Sequence, residues 1–194
     1  MWLHLQGVTK KALAEFNKTM ISSRESIGVS CFSESYDSLL MWAHYAHNHR
    51  GICVEYNLHL FNEKLFYTPV PVIYSNERPC LTSLDLKHPE KESLDLFITG
   101  LTTKSVEWSY EKEWRIIRDE DACGSSWDKE KKGALLPSIQ PSAIILGCDS
   151  SKELETEVRS YCENSKTNLY KMHKDETEYR LKKEAIFQFD EETT

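Results

Sequence analysis

The stretch DSLLMWAHYAHNHRGICVEYN, Asp37–Asn57, decides the fold class, because two kinds of element meet inside it. At 100° per residue, Leu39, Trp42, Ala43 and Ala46 cluster on one side of a helix running from about Ser38 to Arg50. Asp37 or Ser38 can accept from the free amides at its start, and Gly51 tolerates the left-handed conformation of a C-cap. GICVEYN then reads as a strand. IGVSCFS, Ile27–Ser33, reads as a buried strand just upstream, so strand, helix and strand follow one another closely.

Outward from this centre the chain keeps mixing periods. Val8–Glu25 reads as a helix. In LFYTPVPVIYS, Pro69 and Pro71 forbid helix and point to an edge strand. NERPCLTSLDLKHPEKE, from Asn76, is a surface loop, and Ser93–Val106 is helical with Leu94, Phe97, Ile98 and Leu101 on one side. EWRIIR is a strand, followed by a polar loop or hairpin tip, DEDACGSSWDKEKKG. SAIILGC, NLYKM and AIFQF are further strands, with a helix from about Ser150 to Asn164. The expectation is a single α+β domain over residues 1–194 around a mostly antiparallel mixed sheet with flanking helices. Its parts are an N-terminal helix (1–26), a core (27–189) and an acidic tail (190–194).

The charge balance restricts partners. With 24 Lys and Arg against 31 Asp and Glu, the net charge is -7, which gives no global attraction to extended nucleic acid or to an anionic membrane. No run approaches a membrane span, and MWLHLQGVTKK lacks the basic-then-apolar order of a signal peptide. Six cysteines without a CxxC pair read as reduced, largely buried thiols, so a cytoplasmic location is expected.

Two constellations carry candidate chemistry. On the helix, Tyr45 and His49 stand four apart on the flank of Trp42, while His44 and His47 point elsewhere. The three histidines do not converge, no HExxH pattern accompanies them, and no metal site is expected. The bland reading is a half-buried helix with solvated histidines; the functional one is a cleft wall of stacking rings with polar tips. In WSYEKEWRIIR, Trp108–Arg118, a strand starting at about Glu111 puts Glu111, Glu113, Arg115 and Ile117 on one face and Lys112, Trp114 and Ile116 on the other. Glu113 beside Arg115 is either a solvated salt-bridge ladder or a carboxylate–guanidinium pair that binds a polar substrate.

These stretches, taken with CFSESYDSLLMWAHYAHNHRGICVEY, KSVEWSYEKEWRII, PSAIILG and LYKMHKDETEYRL, resemble the bacterial family of unknown function DUF2971. The resemblance implies Trp42, His44, Tyr45, Gly51, Lys104, Trp108, Glu111, Glu113 and Arg115 as recurrent positions. It also implies an N-terminal segment with a tyrosine-rich strand and an Asn-Asp-Pro turn, which does not precede Val8 here.

Related abortive-infection and toxin families have been grouped with ADP-ribosyltransferase-like folds, and by that analogy the expected substrate is NAD, in a defence or toxin setting. Breaking the nicotinamide–ribose bond develops positive charge on the ribose, which a carboxylate stabilises. Glu113 would be that carboxylate and Glu111 the acceptor-orienting group. Tyr45 or Trp42 would stack on nicotinamide, and His44 or His49 would bond ribose or phosphate. The second reading is a non-catalytic nucleotide sensor in which Arg115, Lys104 and Arg50 hold phosphate while aromatic rings, Trp108 among them, stack a base. A third is a metal-dependent nuclease using Glu111, Glu113 and Asp119, with Lys104 in support.

Overall fold

The computed structural model describes residues 26–57, 68–79, 97–123, 127–128, 130, 133–134 and 139–189. The expected helix over Val8–Glu25, most of the loop from Asn76 and the acidic tail lie outside the described residues. The fold is mixed α/β, with several small and mostly antiparallel sheets. The chain divides into two compact units, Met1–Ser33 with Pro69–Leu136, and Glu34–Thr68 with Pro137–Thr194.

In the first unit, β1 (Ile27–Ser33) pairs antiparallel with β6 (Glu113–Asp119) over its whole length, from Ile27 opposite Asp119 to Ser33 opposite Glu113. The strand has the bounds its sequence suggests but is not buried. Ser30, Cys31 and Val29 are exposed, and β1 forms one edge of its sheet, beside β6. The other edge is β3 (Val70–Pro71), where a proline without an amide hydrogen costs no ladder bond on its open side. β4 (Ile73–Ser75) pairs in parallel with β5 (Thr103–Ser105).

Helix occupies residues 97–102 and then stops, so the helix expected through Val106 is corrected at its end. Thr103–Ser105 is drawn into the β4 pairing, and Val106–Glu111 follows as a 3-10 helix. After β6 come the single-turn α2 (Glu120–Cys123) and a small ribbon of β7 (Trp127–Asp128) and β8 (Gly133–Ala134).

The second unit is built on β9 (Ala143–Leu146), all four residues of which are buried. β2 (Ile52–Glu55) flanks it antiparallel and β10 (Asn168–Lys174) flanks it in parallel, with β11 (Leu181–Phe187) completing the order β11-β10-β9-β2. Period-two alternation divides β9 between two cores. Ile145 packs with Trp42, Ala46, Met172 and Leu181, whereas Ile144 and Leu146 pack with Val158, Cys162 and Leu169. The first core is covered by α1 (Leu39–Tyr45) and the second by α3 (Lys152–Ser165), so a helix lies on each sheet face.

Both helices start at a serine cap. Ser38 accepts from the Met41 amide and Ser151 from the Leu154 amide. The expected end of α1 at Arg50 is corrected to Tyr45. His47, Asn48 and His49 all take left-handed backbone, with φ of 50, 53 and 65°. Gly51 sits in a tight place: its amide donates to the Ala46 carbonyl at 2.8 Å, and a Cβ there would stand 3.1 Å from that oxygen. Gly147 closes the same turn. A side chain on it would be driven into the His49 carbonyl, which accepts from the Asp149 amide at 3.0 Å.

Candidate functional site

The left-handed run changes the histidine reading. The i to i+4 ridge of Tyr45 and His49 does not form, because helical geometry ends before His49. Trp42 is a core residue at 3% exposure, its indole N–H donating to the Tyr36 carbonyl at 2.6 Å. Its expected stacking role therefore gives way to packing. Tyr45 is 62% exposed, with the His44 ring edge-on to it at 6.3 Å. His49 is half-buried, with its Nδ1 enclosed and unpartnered. These four residues belong to the second unit.

Lys104, Trp108, Glu111, Glu113 and Arg115 belong to the first unit, where four of them form one ionic network. The Lys104 ammonium donates to a Glu111 carboxylate oxygen and to Glu113 Oε2, the latter at 3.1 Å. Arg115 gives Glu113 two bonds, Nε to Oε1 at 2.8 Å and Nη2 to Oε2 at 3.1 Å, and a third to the Leu101 carbonyl. Glu111 is 2% and Glu113 6% exposed, so this is no solvated ladder. The two acids are buried and the two bases that compensate them are partly so, and breaking a pair leaves a buried carboxylate costing about 3–5 kcal/mol.

Glu111 reaches this network by a route that alternation does not predict. It ends the 3-10 helix, and Lys112 turns the chain through left-handed backbone (φ 44°) before β6 begins at Glu113. Lys112 therefore does not lie on the opposite strand face, where alternation places it. Glu111 and Glu113 nevertheless converge, because one ammonium, Lys104, bonds both. From β1, Ser33 donates to the Glu111 carbonyl at 2.6 Å. The expected pairing of Glu113 with Arg115 holds, since both lie on one strand face two residues apart.

Charge states follow from these contacts. Burial works against ionisation of Glu113, but hydrogen bonds from Arg115, the Cys31 thiol and Lys104 outweigh it and hold the carboxyl at about 2. Cys31 stands opposite Arg115 on β1. Partial burial and then its bond to the Glu113 anion push that thiol up to about 11, against the pull of Arg115 and Lys104. Burial opposes the charge on Lys104, yet its bonds to Glu111 and Glu113 raise its affinity for the proton. The Glu113 bond does the same for Arg115. At neutral pH the carboxylate of Glu113 is thus a fixed negative charge and not a base.

An aromatic pair adjoins the network. Trp108 is 38% exposed, the Lys104 ammonium lies 5.0 Å from its ring centroid, and Tyr110 tilts against it at 6.0 Å.

Four contributors escaped sequence reasoning: Cys31, Ser33, the Leu101 carbonyl and Tyr74, whose phenol accepts the Glu113 amide at 2.8 Å. Tyr74 lies 39 positions from Glu113, and no local spacing links them. Asp119 accepts from the Ala122 amide at 2.7 Å and caps α2. Six positions beyond Glu113 on one strand, it is about 20 Å away by strand rise. Among the described residues no group of three or more His, Cys, Asp or Glu is placed to hold a metal ion. Asp119 thus stands apart from Glu113, with which the nuclease reading groups it. No helix among the described residues is long and apolar enough to cross a membrane.

Residues 41–116 match the model of a family described as "Protein of unknown function (DUF2971)". Over that span the chain is similar to this family, as its motifs imply; PSAIILG and LYKMHKDETEYRL lie outside the match. No curated protein and no solved structure matches the chain.

Proposed function

We propose that this chain, DUF2971-like over residues 41–116, cleaves the nicotinamide–ribose bond of NAD, as a glycohydrolase or ADP-ribosyltransferase, with an ADP-ribosyltransferase-like fold and Glu113 as the group that stabilises the reacting sugar. The observation that carries the reading is the state of Glu113: buried, yet held ionised by Arg115 and Lys104 beside a second carboxylate, Glu111. As the C–N bond breaks, its electron pair leaves with nicotinamide and positive charge grows on the ribose carbon. A fixed anion in a dry setting stabilises that charge without reorganising. Water, or an acceptor's nucleophilic atom, then bonds to the same carbon and loses its proton to solvent. Trp108 with Tyr110 is the stacking surface for the nicotinamide ring. Glu111, linked to Glu113 through Lys104, orients the attacking group.

A second reading, nucleotide binding without chemistry, is favoured by the internal compensation of the network. Lys104 and Arg115 both already bond carboxylates, which favours capture of a flat ring on Trp108 over capture of phosphate.

The test is incubation with NAD and quantification of free nicotinamide, with Glu113→Gln alongside. The proposed chemistry predicts release that the substitution reduces about 100-fold or more. No release, with a nucleotide-dependent rise in melting temperature, sinks the enzyme and supports the binding module.

A further inference from the structure

Glu113 is gripped at its main chain as well as at its carboxylate. Its carbonyl accepts from the Val72 amide at 2.9 Å, and its amide donates to the Tyr74 phenol at 2.8 Å. The two gripping residues are two apart on a segment that follows Pro71, whose ring fixes one backbone angle. Tyr74 also stands beside Lys104 in the parallel β4–β5 pairing. One two-stranded ribbon therefore presents a phenol to the backbone of Glu113 and an ammonium to its side chain.

We infer that Tyr74 is the positioning residue of the acid pair: by taking the Glu113 amide hydrogen on its phenolic oxygen, it fixes where β6 begins relative to Lys104 and so where the carboxylate stands. This deepens the reading proposed above and rests on it. An amide satisfied by a main-chain carbonyl would need no particular side chain at position 74. An amide satisfied by a side-chain oxygen makes the Glu113 position depend on the identity of that side chain. A displacement of about 1 Å at a group acting on a developing charge costs up to about 100-fold in rate.

The experiment compares Tyr74→Phe with the wild-type chain by nicotinamide release from NAD and by the side-chain carboxylate 13C resonance of Glu113. The expected result is a kcat about 10- to 100-fold lower, KM within about twofold, and a displaced Glu113 resonance. A merely structural tyrosine would lower the melting temperature and leave kcat per folded molecule unchanged, which overturns the inference. Should Tyr74→Phe fail to fold, 3-fluorotyrosine placed at position 74 alone keeps the shape and weakens the acceptor; an unmoved Glu113 resonance there is equally contrary. A wild-type chain that releases no nicotinamide removes the proposed reaction, and the Glu113 resonance then still decides whether Tyr74 sets its position.

Discussion

Cys31 and Glu113 set one another's protonation across the β1–β6 pairing, and this coupling can be tested without any substrate. The Glu113 anion is one of the influences that hold the Cys31 thiol at about 11, whereas Arg115 and Lys104 pull it down. Glu113→Gln removes the charge and leaves both cations, so the thiol becomes more acidic. Alkylation of Cys31 by iodoacetamide at pH 8.5, followed on its own peptide by mass spectrometry, is expected to be slow in the wild-type chain although the residue is exposed. It should accelerate several-fold in the variant. Equal rates would mean that the thiol does not feel Glu113. The sequence makes the neighbouring Glu113–Arg115 pair legible, because two residues on one strand share a face whatever the rest of the chain does. Cys31 and Tyr74 were illegible, since each meets Glu113 through strand pairing or a side-chain reach that only the folded chain creates.

At the scale of elements, the informative failure is the end of α1. Its start was readable from Ser38, a local cap. Its end depends on the 147–149 turn docking on His49 and Gly51, a contact about a hundred residues away that local propensity does not contain. Three consecutive left-handed residues without a glycine are costly, and His47 is exposed. His47→Gly is therefore expected to stabilise the chain by about 0.5–1 kcal/mol, seen as a higher melting temperature. A lower one would show that the imidazole makes a contact worth more than the backbone relief. Gly147→Ala acts in the opposite direction, because its methyl group meets the His49 carbonyl. Loss of the cooperative melt is the expected outcome, and an unchanged melting temperature would refute the docking of the two turns.

For the whole molecule, the mixture of helix and mostly antiparallel strand was legible from its changes of hydrophobic period. The division into two units was not, since each unit is assembled from two separated pieces of chain. Resistance to acid follows from the paired carboxylates. Glu113 is held below its ordinary value by Arg115, Cys31 and Lys104 against its burial, Asp149 by Lys174, Glu155 by Lys171, and Asp175 by Lys182 and its own turn amides. Each folded value is depressed, so the stability these groups contribute is present above the unfolded values and is lost as pH falls through the folded ones. For Glu113 that window runs from 4.5 down to about 2. Circular dichroism is expected to report an intact fold at pH 5 and progressive loss below about 4. Unfolding already complete at pH 5 would contradict the pairing.

The same fixed charge gives the account its most direct test, the pH dependence of kcat for nicotinamide release by the intact chain. A permanent anion at Glu113 predicts a flat profile from pH 8 down to about 4.5, with no loss on the acid side while the fold persists. An acid limb with a midpoint near 6 or 7 would require a carboxyl that gains a proton in the working range. That result would contradict the role assigned to Glu113.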